Sequence, residues 1–84
     1  MSAIDSRIRS VIDQDGAVLL DLGRDEFFSL NPIGAALWKG LENGQTPQQI
    51  KSAIVIATGM GMDTVSEDVD TFIEELRQRN LIHL

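Results

Sequence analysis

The chain has 84 residues, 43% of them apolar, and a formal charge of −6 from 13 acidic and 7 basic side chains. That length sustains one domain around one modest core, expected over residues 1–84 with its folded part at about 8–83. The acidic excess argues against a nucleic-acid partner, because such binding draws on clustered Lys and Arg.

The residue pattern changes once, near Asn31. Before it the apolar spacing is that of strands, and after it that of helices. Ile8 to Asp13 is the first predicted strand, with Ile8, Val11 and Ile12 as its apolar bulk. Asp15-Gly16 is a tight-turn pair, since Gly accepts the positive φ that hairpin turns demand. Ala17 to Leu22 is the second strand, Gly23-Arg24-Asp25 the next turn, and Glu26 to Leu30 the third strand. In that last strand Phe28 and Leu30 share one face, while Phe27 and Ser29 share the other.

The first predicted helix opens at Asn31-Pro32, where Asn caps orphan N–H groups and Pro suits the first helical position. Ile33, Leu37 and Leu41 recur every fourth residue on one face, and Asn43-Gly44 is the stop. The second helix opens at Thr46-Pro47 with a capping-box pattern to Gln49, and its buried stripe is expected to be Ile50, Ala53, Ile54 and Ala57. Gly59-Met60-Gly61 ends it. The third helix is expected to be capped by Thr64 or Ser66. Val65, Val69, Phe72, Ile73 and Leu76 form its apolar stripe, and Asp68, Asp70, Glu74 and Glu75 its solvated side. Leu81 to Leu84 is an apolar tail able to cover the core. The predicted class is α+β, a three-stranded antiparallel sheet followed by three helices that must cover its apolar face.

Catalytic and metal chemistry find little to work with. His83 is the only histidine and no cysteine is present, so the usual zinc sets and disulfides cannot be assembled. The serines have no second histidine to activate them. Asp13-Gln14-Asp15-Gly16 lacks the later ligands of a calcium loop and reads as a hairpin turn. Gly59-Met60-Gly61 lacks the lysine and preceding strand of a phosphate loop. No metal, cofactor or catalytic residue is expected. Apolar runs fall short of the roughly 20 residues that span a membrane, and the first ten residues lack an apolar signal core, so no membrane partner is expected. A reducing cytoplasm fits the missing cysteines.

A different kind of site is possible at the third strand. Its outer edge is a candidate for β-augmentation, in which an extended peptide pairs with free N–H and C=O groups and drops alternate side chains against the third helix. The same edge could pair two copies into a homodimer. The last two helices could instead form a helix-turn-helix, but four acids on the third would then face phosphates.

Asp15 to Asp21, then Phe27 to Trp38, then Leu41 and Gly44 resemble the PqqD-like family, whose domains are called RiPP precursor recognition elements. Glu67-Asp68-Val69, Phe72-Ile73, Leu76 and Asn80-Leu81-Ile82 resemble its closing helix, although the family usually has Gly where Asn80 stands. The resemblance spans about residues 8 to 83, and its style is most similar to the stand-alone proteins of lasso-peptide gene clusters. An Arg-Gly and Pro-Glu pattern usual in true PqqD proteins is absent from the strand region.

The resemblance implies a winged helix-turn-helix-like fold and a non-catalytic role. The leader of a ribosomally made precursor peptide would lie antiparallel on the third strand, against the third helix. The protein would present it to a cysteine-protease leader peptidase, with a cyclase acting after cleavage. Carried onto this chain, Phe27, Phe28, Ser29 and Leu30 would supply the strand. Val69, Phe72, Ile73 and Leu76 would line pockets, some of the four filling the core instead. Arg77 would meet polar groups at the groove mouth. The alternatives are a PqqD-type chaperone that brings a peptide to a radical enzyme, and a winged-helix nucleic-acid-binding regulator.

Overall fold

The structure, a computed structural model, describes residues 3–84. Its first strands, β1 (Ile8–Asp13) and β2 (Gly16–Asp21), form an antiparallel hairpin in which Asp13 faces Gly16. The loop is therefore Gln14-Asp15, one residue earlier than the sequence pattern suggests, and β2 ends at Asp21 rather than Leu22. Gly16 is the first strand residue, not a loop residue. Its φ is +145°, and a Cβ there would collide with the Leu30 carbonyl. The glycine is needed so that β3 (Glu26–Leu30) can lie against β2, which it does without a bulge from Ala17↔Leu30 to Asp21↔Glu26.

Three helices follow, α1 (Pro32–Glu42), α2 (Pro47–Thr58) and α3 (Met62–Gln78). Asn31 caps α1 by accepting the Gly34 N–H at 2.8 Å, and Thr46 and Gln49 form the expected reciprocal capping box on α2. The start of α3 differs from the sequence reading. Gly61 is its N-cap and gives no side-chain cap, while Thr64 and Ser66 lie inside the helix. Val65 explains the early start: it is fully buried, and its N–H donates to the Gly61 carbonyl at 3.1 Å, so burial in the first turn draws the backbone into helix before the polar signals.

The inner sheet face and the helices enclose a core centred on Leu19, Leu37, Trp38, Leu41, Val65 and Val69. Leu81 and Ile82 of the tail are buried in it, while Leu84 is exposed. Ile82 forms a bridge with Ile4, so both ends of the described chain meet beside the core. The α2 stripe is narrower than expected. Ile50 and Ile54 are buried, but Ala53 and Ala57 are exposed along a shallow apolar cavity of about 290 Å3 between α1 and α2. Small side chains at those positions leave the cleft unfilled.

Candidate functional site

The sheet order is β1-β2-β3, so among the described residues β3 pairs with one neighbour and presents its other edge to solvent. Beside that edge runs a groove of about 100 Å3, lined by Phe28, Ser29 and Leu30 of β3, by Phe72, Glu75, Leu76 and Arg79 of α3, and by Leu81. Helical geometry accounts for the α3 wall: Phe72, Glu75, Leu76 and Arg79 stand at i, i+3, i+4 and i+7. Leu76 and Leu81 are nearly inaccessible and form the floor, while Phe28, Leu30 and Phe72 are half-buried and present apolar surface. Gly34 of α1 closes one end. A Cβ there would stand 3.2 Å from Leu30 Cβ and 3.3 Å from the Phe72 ring, so its absence lets α1, β3 and α3 converge.

The other end carries charge. The Arg79 guanidinium lies over the Phe28 ring, 4.8 Å from its centroid, at cation–π distance. The Arg79 carbonyl accepts from Arg24 Nη1 at 3.4 Å, and the next carbonyl, of Asn80, accepts from Arg7 Nη2 at 2.9 Å. Arg7 also donates Nε to Asp21 Oδ1 at 2.9 Å and pairs with Asp5 at 2.8 Å. Asp21 is buried, and Oδ1 further accepts the N–H groups of Gly23 and Arg24. Burial pushes the Asp21 carboxyl up, but the Arg7 hydrogen bond, the Arg24 and Gly23 N–H groups and the Arg7 charge outweigh it and hold it below the usual value. Asp5 is held down to about 2, chiefly by the Arg7 N–H and then by the His83 side chain.

The sequence-derived residues separate into distinct places. Phe28, Ser29, Leu30, Phe72 and Leu76 meet at the groove. Phe27 points to the opposite sheet face and is 70% exposed. Val69 is fully buried, and Ile73 is half-buried against the core outside the groove lining. Arg77 lies off the groove and pairs with Glu74 at 3.0 Å. The sequence reading missed Glu75, Arg79 and Leu81. Helical spacing from Phe72 could have found the first two. Leu81 could not be reached that way, because Asn80 turns the chain out of the helix with φ +58°. No group of three or more metal-ligating side chains occurs among the described residues.

An unpaired strand edge beside an apolar trough is equipped to hold an extended peptide: backbone groups supply the pairing, and the trough takes every second side chain. The family model for coenzyme PQQ synthesis protein D (PqqD) matches residues 16–82, from the first residue of β2 through the buried tail. The chain belongs to the PqqD family. The solved structure described as TbiB1 in complex with the TbiA(beta) leader peptide matches this PqqD-family protein with a TM-score of 0.86 at 30% identity, over 98% of this chain and 94% of that one. Another, lasso peptide synthetase B1 complexed with the leader peptide, matches with a TM-score of 0.80 at 21% identity, over 96% of this chain and 94% of that one, and shows a shared fold. Comparison with curated protein sequences gives no match.

Proposed function

We propose that this PqqD-family protein binds the leader segment of a ribosomally made precursor peptide as an added strand on β3, and presents it to a leader peptidase in lasso-peptide biosynthesis. The observation that carries this reading is the open β3 edge beside the Phe28–Phe72–Leu76 groove, in a chain of which 98% matches TbiB1, itself solved with a leader peptide. The protein acts by holding and orienting its guest, not by chemistry, and needs no cofactor. Its downstream partners are a cysteine-protease leader peptidase and a cyclase, in the cytoplasm.

The test is a titration with a synthetic leader peptide, the TbiA(beta) leader. Saturable binding is expected, with backbone amide shifts concentrated at Glu26–Leu30 and along the groove face of α3. Binding that leaves the β3 amides unmoved would remove strand addition from the account. Chaperoning to a radical enzyme is a second reading favoured by the PqqD family match, and co-purification with a radical enzyme instead of a peptidase would select it.

A further inference from the structure

The groove is bounded by β3 and α3, and the joint at its charged end is built from side chains far apart in sequence. We propose that Arg7 and Asp21 form a clamp that sets the spacing between β3 and the end of α3, making both positioning residues for a peptide guest that neither of them touches. The guest is the one assigned above, so this inference rests on that reading.

Several contacts converge on the joint. Asp21 closes β2 and is 2% exposed, and its Oδ1 gathers the N–H groups of Gly23 and Arg24 together with Arg7 Nε. The β2–β3 turn is thereby tied to Arg7, which sits just before β1. Arg7 Nη2 then reaches across to the Asn80 carbonyl, and Arg24 Nη1, from the turn itself, reaches the adjacent Arg79 carbonyl. Two consecutive carbonyls just past α3 are thus held by two guanidinium groups from the sheet side: that of the C-cap Arg79, one of the acceptors a helix C-terminus leaves orphaned, and that of Asn80, which leads the chain out of the helix.

The residues so held are the ones that matter to the groove. Arg79 and Leu81 both line it, and Asn80 stands between them in the left-handed conformation. Fixing the Asn80 carbonyl fixes the direction in which Arg79 leaves the helix and Leu81 enters the core. Fixing Arg79 places its guanidinium on Phe28, across the groove mouth. Asp5 also pairs with Arg7 at 2.8 Å, so the guanidinium is held by three partners: Asp5, Asp21 and the Asn80 carbonyl. Arg suits this task because its planar fork donates in several fixed directions, which a lysine ammonium cannot reproduce.

The experiment compares Arg7→Gln, Arg7→Lys and Asp21→Asn with Ile50→Val, a core change under α1 and α2 that lowers stability away from the joint. Each variant is titrated with the TbiA(beta) leader peptide at a temperature where its melt shows it fully folded. NMR follows the Arg79 side chain, whose guanidinium lies 4.8 Å from the Phe28 ring centroid and whose resonances that ring is expected to shift. Arg7→Gln is expected to weaken binding at least tenfold and to erase the ring shift of Arg79, Arg7→Lys and Asp21→Asn to do so in part, and Ile50→Val to change neither. Unchanged affinity in folded Arg7→Gln, or an equal loss in Ile50→Val, would overturn the clamp. Should the unmodified protein fail to bind any leader, the guest reading falls; the Arg79 ring shift in Arg7→Gln then still decides whether the clamp holds the mouth.

Discussion

Along α3 the same helical stripe serves two purposes, and single residues separate them. Val69 is fully buried, so Val69→Ala is expected to lower stability while the folded variant binds a guest as before. Phe72 is half-buried and faces the groove, so Phe72→Ala is expected to weaken peptide binding at least tenfold, about 1.4 kcal/mol, with a smaller loss of stability. Leu76 belongs to core and groove floor at once, and Leu76→Ala is expected to cost about 2–5 kcal/mol in stability as well as affinity. Peptide titration beside denaturant melts distinguishes the three. At the joint, Asp5 and Asp21 have carboxyl groups below their ordinary values in the folded chain. A depressed carboxyl adds stability above its unfolded pKa, about 3.9 for Asp, and loses it as pH falls through the folded value. Melting temperature is therefore expected to fall as pH drops from about 4 toward about 2. Asp21→Asn should melt lower at pH 7 and show a shallower acid decline, measured by circular dichroism.

At the level of elements, much was legible because each strand and helix carries its own signal. Alternation around Phe27-Phe28, the Asn31-Pro32 cap and the Thr46-Gln49 box all act within a few residues, and the structure has them where those patterns point. What escaped the sequence depends on neighbours distant along the chain. Gly16 reads as a loop glycine until the Leu30 carbonyl is seen where its side chain would be. Thr64 and Ser66 are good caps locally, but burial of Val65 starts α3 earlier. Ala53 and Ala57 fit an apolar stripe, yet among the described residues no element covers them, whereas Leu81 reaches the groove only after a left-handed turn at Asn80. Arg77 and Arg79 are equally plausible by composition, and only the helix azimuth separates the one paired with Glu74 from the one over Phe28. The Gly16 contact makes a test at this scale. Gly16→Ala is expected to cost about 1–3 kcal/mol for the strained φ alone, and more for displacing Leu30. Faster amide exchange across β2–β3, with α2 unaffected, would show that the damage is local to the site-bearing edge.

For the molecule as a whole, the C-terminal tail helps form the groove and the start of the described chain packs against that tail. Leu81 and Ile82 are 1% and 3% exposed, Ile82 bridges Ile4, and the Asp5 N–H donates to the Leu81 carbonyl at 3.0 Å. Burying side chains of this kind contributes roughly 1.5–3 kcal/mol each, so the pair accounts for roughly 3–6 kcal/mol against a typical total of about 5–15. Ending the chain after Asn80 should therefore remove a large fraction of the stability and, with Leu81 gone, part of the groove floor. Ending it after Ile82 removes only the exposed Leu84 and His83, the latter paired with Asp5 at 2.8 Å. That shorter loss should leave the fold near its full stability and the groove intact. The two truncations, compared by thermal melt and peptide titration, thus differ by two buried residues and should differ sharply in both readouts. Equal behaviour would mean that the tail packs against the molecule without sustaining either the core or the groove.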